Sequence, residues 1–410
     1  MPTDVVLAGA RVVAGGRVLD PGYVVVRNDR IDGVGEGLPP DHGHVVDLGG
    51  RWLLPGYIGP HVHGGGGVSL AGADHDQHVT AAGFHGRHGT TSLLATTVSS
   101  SPAHLQAAIA AIRDTMREPV TGARILGINM EGPYLSVECR GAHDPALVRD
   151  PDLEEFARLV EIADGALRII TVAPERPGAS ELVAAARAAG VVVSIGHTAA
   201  PYDVALAAVD RGASLVTHMF NGMHPLHHRA PGTVGAGLNA PHLTCELIAD
   251  GMHVDPAVVG MLIAAKGIDR IALITDCMHA AGLPEGDYDM GEGRWISLAG
   301  GLARVAGSDT IAGSTLTMGE AVQNVVRFTG VGIVAASRMA SENQARLLQC
   351  PGVTGRIVTD SFADLVVLDD ALAVQATMVG GIWIHGDDVI TAIAGTSRSA
   401  GSSIAARLDR

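Results

Sequence analysis

Eight apolar, strand-like runs alternate with Ala-rich, helix-like stretches through the middle of this chain. The runs cover residues 52–63, 90–96, 124–131, 168–175, 191–197, 214–218, 244–253 and 270–276. Parallel strands need crossover connections, so this alternation is typical of parallel α/β sheets. Eight such units predict a (β/α)8 barrel, or TIM barrel, in which functional groups lie at the carboxyl ends of the strands.

The stretches between the runs have helical character. They predict helices over 103–116, 153–163, 180–189, 203–211 and 256–266, with two more over 315–328 and 337–348 after the eighth run. The segment between His218 and Thr244 is rich in Gly, Pro and His. It is interpreted as a functional loop rather than a regular helix.

Short β-type runs separated by turn residues occupy both ends of the chain, over 2–50 and after 364. They predict a small β-sandwich domain built from residues 1–54 and 360–410. The barrel would then be the catalytic domain, over residues 55–359. A chain of 410 residues exceeds most single cores, which fits this division.

Composition and charge exclude several classes of partner. The net charge of −15 argues against a nucleic-acid surface. The sequence has no run of eighteen apolar residues, so no membrane span is predicted, and no signal peptide is apparent at the N-terminus. The four scattered cysteines form neither a zinc-binding pattern nor a disulfide framework, so a cytoplasmic location is expected.

The ends of the predicted strands carry residues that bind metals or move protons. His61 and His63 are two positions apart, so on an extended chain both imidazoles point to one side. Six of the eight runs end in such groups: His61/His63, Glu131, His197, His218, His253 and Asp276. Each alone could be a turn histidine, a loop carboxylate or a helix cap. Together, at one barrel mouth, they predict a catalytic metal site.

Histidine and carboxylate ligands without a thiolate favour zinc, iron, manganese or cobalt, with zinc placed first. A bound metal polarises a carbonyl and lowers the pKa of water, while a carboxylate such as Asp276 transfers the proton. The expected reaction is hydrolysis of a C–N or related bond.

The residues at these strand ends resemble the amidohydrolase superfamily and, within it, the N-acetylglucosamine-6-phosphate deacetylases. The matching stretches are 55–63, 130–134, 141–143, 196–198, 217–223, 249–253, 275–276, 312–318 and 363–368. The Glu-Gly-Pro and His-Met-Phe-Asn-Gly-Met motifs are specific to the deacetylases, whereas His-x-His marks only the superfamily. The resemblance implies release of acetate from N-acetyl-D-glucosamine 6-phosphate, in amino-sugar catabolism and cell-wall recycling.

The resemblance also implies a role for each site residue. The main metal would be held by Glu131, His197 and His218, and a second metal by His61 and His63, so one or two divalent ions are expected per subunit. Asp276 would act as base and then as acid, and His143 would donate to the developing oxyanion. The substrate would be bound by Ala142, His143, Asn221, the amide of Gly222, Arg229, His253, Ile311 and Ala312. Arg229 can come from a neighbouring subunit in this family, which implies a homodimer.

Two alternatives stay open at this point. A cyclic amidase or a deaminase of the same superfamily would act on a different C–N bond. Such enzymes commonly use a lysine carbamate, but no lysine ends a strand here and Lys266 lies in a predicted helix. A non-catalytic scaffold is the other alternative, and such a protein would be expected to have lost ligands.

Overall fold

A computed structural model describes residues 4–40, 43–118, 121–291, 293–350, 353–386 and 390. It confirms the predicted fold class, a (β/α)8 barrel with a sheet domain to which both ends of the chain contribute. Within the described ranges, no helix combines the length and the apolar character that a membrane span requires.

The chain begins with five strands, β1 (Val5–Ala14), β2 (Arg17–Arg27), β3 (Arg30–Glu36), β4 (His44–Asp47) and β5 (Trp52–Pro55). Strands β1 and β2 form a hairpin in which Ala14 pairs with Arg17. Gly15 and Gly16 connect them with φ of +58° and +77°. A two-residue hairpin loop that needs positive φ at both positions favours glycine, because glycine lacks the Cβ that would clash.

The barrel follows directly. Its elements are β6 (Tyr57–Val62), β7 (Gly64–Gly65), β8 (Val68–Ser69), α1 (His75–Arg87), β9 (Thr90–Thr97), α2 (Pro102–Thr115), β10 (Arg124–Glu131), α3 (Leu153–Ala163), β11 (Leu167–Val172), α4 (Ala179–Ala188), β12 (Val192–Ile195), α5 (Tyr202–Arg211), β13 (Ala213–Val216), α6 (Gly232–Asn239), β14 (Thr244–Ile248), α7 (Pro256–Lys266) and β15 (Ile271–Ile274). Several of the helices begin at Asp or Ser side chains that accept a backbone N–H of the first turn, as at Asp74, Ser101, Asp152 and Asp255.

Eight parallel strands form the barrel wall in the order β6, β9, β10, β11, β12, β13, β14, β15. The wall closes between the last and first strands through a parallel bridge of Cys277 with Val62 and a bond from the Asp276 amide to the carbonyl of His61. The carboxyl ends of all eight strands therefore meet at one mouth.

The chain continues with β16 (Gly286–Gly291), β17 (Arg294–Ala299), β18 (Leu302–Val305), α8 (Met318–Thr329), α9 (Ile333–Ala340), α10 (Glu342–Leu347), β19 (Leu365–Leu368), β20 (Val374–Val379) and β21 (Ile382–His385). Strands β16–β18 form a separate antiparallel sheet that the sequence patterns did not predict. The predicted helix over 337–348 is wrong as one element, because Ser341, with φ −143° and ψ −68°, interrupts it between α9 and α10. The Gly-rich segment after His218 also contains a short helix, α6.

The first and last strands share one eight-stranded sheet in the order β21, β20, β19, β5, β1, β2, β3, with β4 beside β1. Residues 52–63 form two strands, because the chain passes from this sheet to the barrel at Gly56. Pro55 pairs with Leu365 in the outer sheet, while Tyr57 pairs with Thr90 in the barrel. The domain bounds at 54/55 and 359/360 stay predictions, and most of residues 387–410 lies outside the described residues.

Candidate metal centre and active site

Four residues leave the barrel strands in positions that aim them into the mouth. Glu131 is the last residue of β10. His197, His218 and Asp276 are each the second residue after β12, β13 and β15, and their φ values are +46°, +26° and +51°. This left-handed region is unfavourable for residues with a Cβ, and it persists where the surrounding structure holds it, often at functional sites.

Glu131, His197 and His218 bring three ligand atoms together. Oε1 of Glu131 lies 3.2 Å from Nε2 of His197 and 3.0 Å from Nε2 of His218, and the two nitrogens are 3.1 Å apart. Ligands at about 2.0–2.1 Å from a tetrahedral zinc lie roughly 3.3 Å from each other. The spacing of these three atoms therefore fits one divalent cation.

A second group of ligand atoms adjoins the first. Nε2 of His61 and Nε2 of His63 are 3.2 Å apart, and Oδ1 of Asp276 lies 3.5 Å and 3.1 Å from them, respectively. Oε2 of Glu131 is 3.1 Å from Nε2 of His63. Glu131 thus presents one oxygen to each group, so its carboxylate could serve as a ligand in both.

Hydrogen bonds on the far side of the rings fix the tautomers of the two histidines in the first group. Nδ1 of His197 faces the carbonyl oxygen of Cys139 at 2.9 Å, and Nδ1 of His218 faces that of Asn221 at 3.1 Å. A carbonyl only accepts, so each Nδ1 carries a hydrogen, and Nε2 is the ring nitrogen that points towards Glu131. Two ring nitrogens and a carboxylate oxygen about 3 Å apart, with each ring held from behind by a carbonyl, form a donor set that fits a divalent cation.

The protonation of the cluster follows from burial and charge together. Burial alone raises the pKa of Glu131, but the imidazoles of His61 and His197 outweigh it and hold that pKa well below its usual range. Burial likewise opposes ionisation of Asp276, whose pKa nevertheless falls to about 2 beside His61 and His63. Burial lowers the pKa of His61, yet Glu131, Glu246 and Asp276 raise it overall. Both ligand carboxylates are therefore ionised at neutral pH.

His143 approaches the cluster as a hydrogen-bond donor. Its Nδ1 accepts the backbone N–H of Ser99 at 3.2 Å, so the ring hydrogen lies on Nε2, which faces Oε2 of Glu131 at 3.4 Å. Burial lowers the pKa of His143 to about 4, so the ring is neutral at pH 7. This tautomer is the opposite of that of His197 and His218, and it suits polarisation of a substrate oxygen.

A cavity of about 680 Å³ opens above the cluster. Among the predicted substrate-binding residues, those that line it are Ala142, His143, Asn221, Gly222, His253, Ile311 and Ala312. Arg229 does not line it. That side chain is exposed and donates to Nε2 of the neighbouring His228 at 2.8 Å. Within one subunit, the structure therefore brings together the predicted site except for its arginine.

His253 is oriented by a carboxylate. Its Nδ1 lies 2.6 Å from Oδ2 of Asp250, and the backbone N–H of His253 donates to Oδ1 of the same residue at 2.8 Å. Burial lowers the pKa of His253, but Asp250 outweighs this and raises it overall. The free Nε2 edge of the ring can therefore offer a polar hydrogen to a ligand in the cavity.

Two features of the site were missed from the sequence. Glu246 lies inside β14 and accepts from His61, and the only sequence signal was an acidic residue within an apolar strand. The sheet of β16–β18 brings Asp289 and Arg294 to the cavity, and the guanidinium of Arg294 donates to the carbonyl of Ala142. Burial raises the pKa of the Cys139 thiol to about 11, so the thiol is protonated at neutral pH.

Known proteins are similar to this chain over most of its length. The amidohydrolase family model matches residues 52–386. An N-acetylgalactosamine-6-phosphate deacetylase of Escherichia coli O157:H7 is 39% identical over 87% of this chain and 92% of that protein. An N-acetylglucosamine-6-phosphate deacetylase of Bacillus subtilis is 32% identical over 93% and 97%. A Mycobacterium smegmatis deacetylase mutant, solved with N-acetyl-D-glucosamine-6-phosphate, is 39% identical with a TM-score of 0.89, over 93% and 100% of the two chains.

Proposed function

Because the chain belongs to the amidohydrolase family, we propose that it hydrolyses the N-acetyl group of N-acetyl-D-glucosamine 6-phosphate to give D-glucosamine 6-phosphate and acetate. The observation that carries the proposal is the meeting of Glu131, His197 and His218 beneath a cavity that also contains Asn221 and His253. The named deacetylases of similar sequence support it. The reaction would serve amino-sugar catabolism and cell-wall recycling in the cytoplasm.

A divalent cation, with zinc as the first candidate and iron, manganese or cobalt as alternatives, would polarise the amide carbonyl and acidify the attacking water. Glu131, His197 and His218 would hold one ion, and His61, His63 and Asp276 would hold a second, to which the other oxygen of Glu131 could also contribute. The tautomers described above prepare the imidazoles for this role, since their Nε2 lone pairs face inward.

Asp276 is the general base of the proposed reaction. Its ionised carboxylate takes a proton from the attacking water while the oxygen of that water bonds to the amide carbon. The Nε2–H of His143 donates to the carbonyl oxygen as negative charge develops there. Asp276 then returns the proton to the amine nitrogen as the C–N bond breaks, so the carboxylate is regenerated.

Substrate binding would use the remaining cavity residues. Asn221 and the amide of Gly222 face the cavity beside His218 and suit the phosphate, while His253 suits the sugar. Arg229 is exposed on the loop that follows and lies outside its own cavity. This placement fits a homodimer in which each subunit lends Arg229 to the phosphate of the other. Ile311 and Ala312 would line the acyl pocket.

The structure gives less support to the alternative function, that of a cyclic amidase or deaminase of the same superfamily. Lys266, the only lysine in the chain, ends helix α7 and donates to the carbonyl of Ala240 at 2.6 Å. It therefore cannot supply the carbamate that many cyclic amidases use. The galactosamine epimer is the more serious competitor as substrate, because a relative 39% identical is named for it.

The test is release of acetate from four substrates: N-acetylglucosamine and N-acetylgalactosamine, each with and without the 6-phosphate. We expect the phosphorylated glucosamine derivative to have the highest kcat/KM. Arg229→Ala should raise KM for phosphorylated sugars by about tenfold or more, in line with loss of a charge-assisted bond. Arg211→Ala, at an exposed arginine on α5, is the control. Equal turnover with and without phosphate would contradict the proposed phosphate site.

A further inference from the structure

Glu246 is a buried carboxylate that the proposed reaction does not use. It lies in the middle of β14, whose residues are all buried, and is only 1% exposed. Oε2 lies 3.0 Å from Nδ1 of His61 and accepts the backbone N–H of His218 at 3.1 Å. Its other oxygen, Oε1, has no partner among the described residues. Burying such a charge is costly unless something nearby compensates it.

We infer that Glu246 is a positioning residue that enables binding of a second divalent cation at His61, His63 and Asp276. The inference rests on the proposed metal-dependent function and adds to it a residue outside the ligand set. It concerns the number of cations that the site holds, because Glu246 contacts the ring of His61 in the second group but no ring of the first group, Glu131, His197 and His218.

The first step of the argument is the orientation of His61. Since Glu246 accepts at Nδ1, this nitrogen carries the hydrogen and Nε2 turns to His63 and Asp276. The Nδ1 atom of His63, by contrast, is buried and has no hydrogen-bond partner among the residues that the structure describes. His61 is therefore the histidine of the second group whose ring is held from behind, and Glu246 is the residue that holds it.

The second step is the asymmetry between the two groups. Glu246 touches His218 only through its backbone N–H, while the His218 ring is held separately by the carbonyl of Asn221. The ring of His197 is held by the carbonyl of Cys139. Loss of the Glu246 carboxylate thus leaves the ring contacts of the first group in place but removes the Nδ1 contact of His61.

The third step is charge. Three carboxylates are buried around the site, those of Glu131, Glu246 and Asp276. When Glu246→Gln removes one negative charge, a single divalent cation fully neutralises the two that remain. A second cation would then leave an excess charge of +2, instead of the +1 left in the wild type. Charge therefore predicts that Glu246→Gln, whose amide oxygen can still accept from Nδ1 of His61, weakens the second cation, and orientation predicts the same for the shorter Glu246→Asp.

The experiment titrates metal-free protein with Co²⁺ and follows the visible absorption of the bound ion together with metal content by elemental analysis. We expect two equivalents for the wild type. For Glu246→Gln we expect an unchanged first equivalent and a second whose dissociation constant rises about 10- to 100-fold. Asp364→Asn is the control, because this buried carboxylate binds Arg124 and Thr354 away from the site. It should retain both equivalents.

Glu246→Asp provides a second reading if the glutamine variant does not fold, since it keeps the charge but is one methylene too short to reach His61. It should also weaken the second equivalent and leave the first intact. A wild type that takes up one equivalent overturns the inference, as does a folded variant that keeps both equivalents at wild-type affinity or loses both equally. These titrations contain no sugar, so absence of acetate release would refute the proposed reaction without altering their result.

Discussion

Replacing Asp276 by Asn removes the proposed general base while preserving the shape of the side chain. The backbone at this position is anchored independently, because its N–H donates to the carbonyl of His61 at 3.1 Å and its carbonyl accepts from Ser314 at 2.8 Å. The variant should therefore keep the left-handed turn that aims residue 276 into the mouth. What it loses is one ionised oxygen beside His63.

The size of the effect follows from that role. Asp276 has a pKa of about 2, so at neutral pH essentially every molecule has the base form available. Transfer of a proton by a positioned side chain contributes about 10²- to 10⁴-fold to a rate, which corresponds to about 2.7–5.4 kcal/mol of the activation barrier. We expect kcat of the variant to fall within that range. The first group of ligands, Glu131, His197 and His218, should retain its metal.

The assay measures acetate release together with metal content and the melting temperature of each variant. Asp309→Asn is the matched control, because Asp309 also lines the cavity but has no contact with the ligand cluster among the described residues. It should change kcat by less than a few-fold. A value of kcat for Asp276→Asn within tenfold of the wild type would remove Asp276 from the proton transfer, whether or not the variant keeps the second cation.

Two further predictions concern histidines in different roles. His143→Phe should lower kcat by about 10²- to 10³-fold with metal content unchanged, because it removes a donor and not a ligand; loss of metal would instead make His143 a ligand. His85 is buried, donates to the carbonyl of Gly64 at 2.8 Å, and has its pKa lowered by burial to about 4 from 6.5. As the pH falls, His85 therefore binds a proton in the unfolded chain before it does so in the folded chain. The free energy of unfolding has its full contribution from neutral His85 above pH 6.5 and loses on the order of 3 kcal/mol as the pH falls to 4. When the free energy of unfolding is measured by chemical denaturation, it should depend less on pH between 6.5 and 4 in His85→Gln than in the wild type. An unchanged pH dependence would refute the prediction.

The sequence by itself determined the barrel and brought most of the candidate site residues to its mouth. Alternating apolar and Ala-rich segments specify parallel strands with crossovers, and the rule that function lies at carboxyl strand ends then pointed to Glu131, His197, His218 and Asp276. The fold prediction was confirmed because the periodicity is local. Closure of eight parallel strands brings all their carboxyl ends to one mouth, where these candidate residues meet. The sheet of β16–β18 was not predicted from the sequence, because its strands lie among many glycines and only alternate residues of β17 are buried.

Only the tertiary structure decided which ring nitrogen carries the hydrogen in each histidine at the mouth. His143 and His197 have the same chemistry in the sequence, but one ring nitrogen accepts an amide of Ser99 and the other donates to a carbonyl of Cys139. The tautomer, and with it the difference between donor and ligand, comes from contacts across 44 and 58 residues of chain. Glu246 illustrates the same point, because its partner His61 is 185 residues away and no local pattern links them. Tautomers and charge balance depend on which atoms face each other in space, and only the folded chain, with its loops as well as its strands, brings those atoms together.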